Sequence, residues 1–420
     1  MMKKQFSQIF RLLLLNACLL LSACQPKSVT VVPLAPSAPT ETPAAATAAP
    51  STTPGFLVQW TYPTGGAIWG APAISDGVVY FGSDDHNLYA VEAQTGLLKW
   101  KFATQGLVRS RPAILAGLAY FTSDDGYLYA LNAQSGNQAW RVDIGNVSES
   151  EKRENPGTNP DPTRFDYLQS SPIVVDGWVY VGSADGKVYA LAADTGNINW
   201  MFETGQKVRA TPTVDGGILY IGSWDGTIYA LDALTGQARW QTPLGGQIQT
   251  TALVTNGLVF TASRKASVVA LESPTGEKKW EYDYGPNNWV ESSPVLVGDI
   301  IYIGSSGNQY VLGLDSQTGE LLTAYMDQVF FWSTPAIKDN LLYIGAAAFT
   351  QDPAVGGLFS LEIPSDGNPL PIELKWHLSV AETLMPDGTW AGVASSPIVF
   401  DDVIYFGGLD GKLYAIELEP

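Results

Sequence analysis

Short apolar runs alternate with turn residues through most of the chain, and the runs have the lengths of β-strands. In one copy of the pattern a run begins at residue 73, and others occupy 78–82, 88–91 and 97–102. The runs are rich in Val, Ile, Tyr, Phe and Trp, which suit a pleated, half-buried surface. After the first two dozen residues no segment has a 3.6-residue apolar period, so we expect few helices. Each copy of the pattern therefore predicts four short antiparallel strands.

The pattern recurs with a period of about 40 residues, which is typical of stacked or radial repeat folds. The copies open at Pro72, Pro112, Pro172, Pro212, Ala252, Pro294, Pro335 and Pro397. They close at Trp100, Trp140, Trp200, Trp240, Trp280, Tyr325 and Trp376. The missing eighth closing segment is supplied by residues 56–62, which contain Trp60. The sequence therefore predicts an all-β, eight-bladed β-propeller of four-stranded antiparallel blades over residues 55–420, with the last blade closed by the N-terminal strand.

The repeated tryptophans and turn residues have structural explanations. We expect the tryptophans to wedge between neighbouring sheets. The first two strands of a copy are joined by Asp76-Gly77, Asp176-Gly177, Asp215-Gly216 or Asn256-Gly257, which suit tight hairpins because both central residues tolerate positive φ. A second set of turn acids could suggest a metal site, but turn chemistry explains them more simply. These acids are Asp85, Asp125, Asp185, Asp225 and Asp410.

The first 54 residues differ in composition from the rest of the chain. Residues 1–23 combine basic residues with a short apolar run, as in an export signal. The segment 21–24, Leu-Ser-Ala-Cys, resembles a bacterial lipobox, which implies lipidation at Cys24; the alternative is an ordinary signal peptide with an incidental cysteine. Residues 24–54 are dominated by Pro, Ala, Thr and Ser and are expected to form a disordered linker.

Net charge limits the classes of partner. The formal charge is −18. Removal of residues 1–23 takes away the cations Lys3, Lys4 and Arg11 and no acid, which leaves −21. Such a surface repels phosphate backbones, so nucleic acid and anionic lipid headgroups are disfavoured partners. This negative charge fits an exported domain, or a domain that binds a basic protein.

One position in each copy varies in a way that packing does not explain. Three residues before each opening position the chain has Trp69, Arg109, Gln169, Arg209, Gln249, Glu291, Trp332 and Ala394. Three insertions, at 146–167, 349–356 and 378–393, are expected on the same face of the propeller as these positions. Trp and Arg are enriched at binding hot spots, so we expect a recognition face there. The alternative is that these side chains only plug the channel.

The repeat at residues 180–200, YVGSADGKVYALAADTGNINW, resembles the PQQ-like repeat. That family includes quinoprotein dehydrogenases and the BamB-type lipoproteins of outer-membrane assembly. The BamB type implies a non-catalytic docking scaffold. The quinoprotein type implies a PQQ cofactor beside a disulfide of adjacent cysteines, with a metal ion held by Glu, Asn and Asp. Because the chain has two cysteines, which are not adjacent, the PQQ cofactor is not supported by motif.

We therefore expect a membrane-anchored, extracytoplasmic lipoprotein that binds envelope proteins through its insertion face and is not an enzyme. The expected location is the periplasmic side of an outer membrane or the outer side of the plasma membrane. No catalytic triad, metal-binding motif or phosphate-binding loop is evident, so no catalytic residue or metal ligand is assigned. Two alternatives stay open. One is a PQQ-dependent quinoprotein-type oxidoreductase, and the other is a small-molecule or glycan-binding propeller in which Trp69 and Trp332 stack on sugar faces.

Overall fold

The computed structural model describes most of the chain from residue 52 onwards. The described residues are 52–53, 56–146, 166–265, 267–285, 289–307, 309–351, 355–364, 371–385 and 388–418. This part of the chain consists of strands and turns, and no helix in it is long and apolar enough to cross a membrane. The predicted signal peptide, Cys24 and nearly all of the linker lie outside the described residues and stay predictions.

Six sheets follow one plan, in which four strands pair antiparallel in chain order. Blade 1 contains Ala73–Ser75, Val78–Gly82, Asn87–Glu92 and Leu98–Ala103. Blade 2 contains Ala113–Leu115, Leu118–Thr122, Gly126–Asn132 and Gln138–Asn146. Blade 3 contains Ile173–Val175, Trp178–Gly182, Lys187–Ala192 and Ile198–Glu203. Blade 4 contains Thr213–Asp215, Ile218–Gly222, Thr227–Asp232 and Ala238–Pro243. Blade 5 contains Leu253–Thr255, Leu258–Ser263, Ser267–Glu272 and Lys278–Asp283. Blade 6 contains Val295–Val297, Ile300–Gly304, Tyr310–Asp315 and Leu321–Met326.

Blade 7 is enlarged by two extra short strands. It contains Phe330–Phe331, Ala336–Lys338, Leu341–Phe349, Gly357–Glu362, Glu373–Ser379 and Trp390–Gly392. The added strands are Phe330–Phe331 and Trp390–Gly392. Both pair with the extended end of the long strand Leu341–Phe349. The third insertion links blade 7 to blade 8, and on the way its strand Trp390–Gly392 pairs with Leu341–Phe349 of blade 7.

Blade 8 joins the two ends of the described chain. It contains Ile398–Phe400, Val403–Gly407, Lys412–Leu418, Phe56–Pro63 and Thr52–Thr53. Phe56 pairs with Leu418, and Pro63 pairs with Lys412. The predicted eight blades and their closure by the N-terminal strand are therefore confirmed.

The repeated tryptophans lock each blade to the next, as predicted. The indole Nε1 of Trp100 donates to the Ala133 carbonyl at 3.0 Å, and its ring covers Gly136 so closely that a Cβ there would lie 2.7 Å away. Trp60 makes the same hydrogen bond to Ala93 across the closing blade. Blade 6 is the exception. The predicted alignment of Tyr325 with the tryptophans was wrong, because register places Thr323 there.

The turn predictions hold with one correction. Asp76 and Gly77 both have positive φ, at 50° and 72°, as a tight hairpin requires. The turn predicted at Asp215-Gly216 instead centres on Gly216 and Gly217, which have φ of 54° and 77°. The second set of turn acids caps its own loops: Asp185, for example, accepts from the Lys187 backbone at 3.0 Å and from the Tyr189 hydroxyl at 2.6 Å.

Candidate binding site

The eight variable positions converge on the axis of the propeller. They line one cavity of about 430 Å³, within the channel bounded by the innermost strands. They are Trp69, Arg109, Gln169, Arg209, Gln249, Glu291, Trp332 and Ala394, which we call the axial ring. The sequence therefore placed these residues together correctly. Whether they recognise a ligand stays a proposal.

Several axial-ring residues are more enclosed than a recognition face would suggest. Arg109 is 8% exposed and forms two hydrogen bonds of 2.7 Å with Asp84. Its guanidinium also lies 5.5 Å from the Trp69 ring centroid and 5.7 Å from that of Tyr167. Gln169 accepts from the backbone of Arg109 at 3.1 Å. On this side of the channel the axial ring therefore joins neighbouring blades, and the choice between a recognition face and a plug stays open.

Arg209 forms the most buried ion pair of the channel. Its side chain is 0% exposed and that of Asp166 is 1% exposed. Nε and Nη2 of Arg209 donate to the two carboxylate oxygens at 2.7 and 2.6 Å, and Lys207 adds a contact of 3.1 Å. Burial alone would raise the pKa of Asp166, but Arg209 and then Lys207 hold it below its ordinary value. Asp166 therefore anchors the end of the first insertion to blade 4.

Asp124 is a buried acid whose surroundings compensate its burial only in part. It is 3% exposed, and neither carboxylate oxygen has a hydrogen-bond partner among the described residues. Burial raises the pKa of Asp124 to about 6, although the charges of Arg109 and Arg209 and the nearby side chain of Gln169 lower it. The group therefore changes its charge close to neutral pH while enclosed in the protein.

Arg264 organises the opposite side of the channel. It forms an ion pair with Glu291 and donates to the Gln247 side chain at 2.8 Å. With its amide oxygen turned towards this guanidinium, Gln249 accepts from Nε at 2.8 Å and from Nη2 at 2.6 Å. The guanidinium also lies 5.5 Å from the ring centroid of Trp289. This charge is therefore neutralised and held against an aromatic wall.

A second cavity, of about 330 Å³, opens beside this wall, and we call it the aromatic cavity. Its aromatic lining consists of Trp69, Tyr167, Trp289, Phe330, Trp332, Phe349 and Trp390. The two cavities share lining residues, including Trp69 and Trp332. The size of the aromatic cavity and the small number of polar groups in its lining are typical of pockets that bind small ligands or anchor side chains.

Parts of all three insertions reach this cavity. Tyr167, at the end of the first, stacks on Trp69 with centroids 4.8 Å apart. Phe349, from the second, stacks on Trp390, from the third, at 4.0 Å. Trp390 also lies 4.6 Å from Trp332. The insertions therefore share a face, as predicted, as far as their described residues show; residues 147–165, 352–354 and 386–387 lie outside them.

Two tryptophans of the cavity have unused hydrogen-bonding capacity. The Nε1 atoms of Trp69 and Trp332 are buried and have no acceptor among the described residues. An unpaired buried donor costs about 1–3 kcal/mol. An incoming oxygen acceptor would offset that cost.

Sequence reasoning missed many residues of the site. Besides the insertion aromatics, the missed set comprises Asp84, Asp124, Asp166, Arg264, Trp289, Phe330 and Trp224, whose ring centroid lies 5.9 Å from the Arg264 guanidinium. A signal for most of them was present, because they fill two other repeat positions that also vary between copies. One position lies two residues before the axial ring, as Trp289 does, and the other lies in the turn after the second strand, as Arg264 does.

The described residues do not fit a PQQ cofactor, which is a planar anion. Arg109 and Arg209, the two arginines of the axial ring, are already paired with Asp84 and Asp166. Trp69 lies directly against Tyr167, which leaves no slot for a flat ring between them. No group of three or more His, Cys, Asp or Glu residues that could hold a metal ion occurs within the described ranges.

Sequence comparison decides the family. The family described as "Outer membrane protein assembly factor BamB" matches residues 56–158, 147–243 and 184–346. The chain belongs to the BamB family. No curated protein matches it.

Solved structures share the fold of this BamB family member. BamB from Moraxella catarrhalis is 23% identical over 69% of this chain and 88% of that chain, with a TM-score of 0.57. The quinohemoprotein alcohol dehydrogenase from Comamonas testosteroni is 14% identical over 86% and 76%, with a TM-score of 0.63. The computationally designed Ika8 protein is 17% identical over 84% and 97%, with a TM-score of 0.64. At these identities the similarity shows the fold alone, and the fold is common to an assembly factor and to enzymes.

Proposed function

We propose that this chain is a lipid-anchored, extracytoplasmic scaffold that binds a segment of another envelope protein in its aromatic cavity and catalyses no reaction. The observation that carries the proposal is the aromatic cavity itself. The axial ring and all three insertions contribute to it, on one face of the propeller. The quinoprotein alternative has less support, because Arg109, Arg209 and Arg264 are paired with acids. The direct stacking of Trp69 on Tyr167 also leaves no slot between them for a flat cofactor.

The cavity favours an apolar side chain with a neighbouring backbone carbonyl as its occupant. Phe349 and Trp390 present stacked apolar surfaces, while the Nε1 atoms of Trp69 and Trp332 need acceptors. Arg264 is neutralised by Glu291, so the cavity does not demand a charged ligand. A buried aromatic or aliphatic anchor surrounded by a few polar contacts is how protein interfaces concentrate their binding energy.

Site-specific photo-crosslinking in intact cells tests the proposal. Phe349 is 40% exposed at the rim of the cavity, and Phe400, at a first-to-second-strand turn on the opposite face, is 47% exposed. A photoreactive phenylalanine analogue is placed at one position or the other. We expect a discrete protein adduct from position 349, lost when Trp332→Ala is added, and none from position 400. Equal adducts from both positions, or none from either, would refute a partner at this face.

Membrane anchoring is tested separately. If Cys24 is lipidated, Cys24→Ala should release the protein from the membrane fraction and abolish incorporation of a labelled fatty acid. Retention of the variant with an unchanged label would refute the anchor without affecting the binding proposal.

A further inference from the structure

The channel cavity of about 430 Å³ is surrounded by hydroxyl groups at one repeat position. This position directly precedes each opening residue. Its hydroxyl-bearing members, which all line the cavity, are Ser171, Thr211, Thr251, Ser293, Thr334 and Ser396. We call them the hydroxyl belt. They lie two residues after the axial ring, just before each innermost strand, and do not line the aromatic cavity.

The backbone uses the acceptor side of these hydroxyls. The Arg111 N–H donates to Ser171 Oγ at 2.9 Å, and the Ser171 N–H donates to Thr211 Oγ1 at 3.2 Å. Across the channel, the Thr334 N–H donates to Ser396 Oγ at 2.9 Å. Ser293 and Thr334 accept in the same way. Five of the hydroxyl oxygens therefore accept a hydrogen bond from a backbone N–H of the neighbouring blade.

The donor side of the belt is unused. None of the belt hydroxyls donates its proton to another residue in the described part of the chain. A hydroxyl that accepts from a fixed N–H still has one proton to donate. The lumen therefore has several O–H donors available at one level.

Arg111 occupies the same repeat position in blade 2 and also lines this cavity. Its side chain has no hydrogen-bond or ion-pair partner among the described residues, whereas the other two arginines of the lining, Arg109 and Arg209, are paired with acids. Arg111 is exposed to the solvent of the channel; partial desolvation by the channel walls lowers its pKa, and no carboxylate offsets that effect. Glu291, the one acid of the lining, is paired with Arg264.

We infer that the hydroxyl belt and Arg111 form a binding site for an oxyanion, the phosphate or carboxylate group of a small molecule. A guanidinium presents paired N–H donors that match two oxygens of such a group, and the belt supplies further neutral donors around it. The overall charge of −18 opposes anion binding in general, so an affinity for phosphate would have to come from this local arrangement.

Ligand-dependent thermal unfolding of the full-length protein tests the site. Sodium phosphate and sodium acetate are titrated separately at pH 7 and at constant ionic strength, set with sodium chloride. We expect a saturable rise in Tm with at least one of the two, and the stronger response identifies phosphate or carboxylate chemistry. Arg111→Gln should weaken the apparent affinity at least tenfold. Arg239→Gln makes the same charge change at an exposed pair and should leave it unaltered.

A second variant separates binding from folding. Thr251→Val is isosteric and removes a hydroxyl that bonds to no described residue, so the fold loses no hydrogen bond of its own. It should weaken the response to the same anion about threefold while Tm without anion stays near that of the wild type. No saturable response in the wild type, or equal responses in the wild type and Arg111→Gln, would overturn the inference. Either result leaves the crosslinking test of the aromatic cavity unaffected.

Discussion

Asp124 should make the stability of the propeller fall as pH rises. Its carboxyl is buried and accepts no hydrogen bond from a described residue, and its pKa is raised to about 6 from an ordinary 3.8. The folded protein therefore binds this proton more tightly than the unfolded chain does. The associated stability is fully present below pH 3.8 and is lost as pH rises to about 6.

The magnitude follows from the two pKa values. At about 1.4 kcal/mol for each tenfold change in proton affinity, full ionisation of Asp124 costs about 3 kcal/mol, of which about 2 kcal/mol is lost between pH 4 and pH 8. Asp124→Asn removes this titration while keeping the shape of the side chain. The gain in stability that the variant shows over the wild type should therefore be about 2 kcal/mol larger at pH 8 than at pH 4.

Urea denaturation followed by tryptophan fluorescence measures this difference. The wild type and Asp124→Asn are unfolded at pH 4, 5, 6, 7 and 8. Asp194→Asn, at an exposed turn, makes the same charge change without the burial and serves as the control. If the stability difference between Asp124→Asn and the wild type were independent of pH, or followed that of the control, the pKa of Asp124 would not be raised by burial.

Two further predictions concern the buried ion pair of the channel and the strand that closes blade 8. Asp166→Asn should lower the free energy of unfolding by about 3–5 kcal/mol, because it leaves the fully buried Arg209 without its acid, whereas Asp232→Asn at an exposed pair should cost less than about 1 kcal/mol. Equal losses in urea denaturation would contradict this reading. Deletion of residues 56–63 should expose the edge of Lys412–Leu418 and cause aggregation in size-exclusion chromatography. A monomeric product with an unchanged Tm would show that this strand does not seal the ring.

The sequence sufficed for the architecture because each blade is specified locally. Turn residues such as Asp76-Gly77 set the hairpins, and a tryptophan such as Trp100 sets the contact with the next blade. Where the local signal weakens, prediction fails. Blade 6 has Thr323 in the tryptophan position, so the aromatic two residues later was mistaken for it.

The site was less predictable, because its residues come together across blades. Counting back from the opening residues found the axial ring, but it did not show that Arg209 is buried against Asp166. That pair joins positions 43 residues apart, through an insertion that breaks the repeat. The aromatic cavity likewise depends on Phe349 and Trp390, which stand outside the periodic pattern. Contacts made by insertions carry no periodic signal that could align them with the ring.

Joining the two ends of the chain in one blade has a mechanical consequence. The strand Phe56–Pro63 follows directly on any residues that precede the propeller, and it is also the strand that seals the ring. A force transmitted through those preceding residues would act first on the Phe56–Leu418 end of this pairing and would tend to peel the strand away pair by pair. The strand pairing that carries such a force would then be the same pairing that closes the propeller.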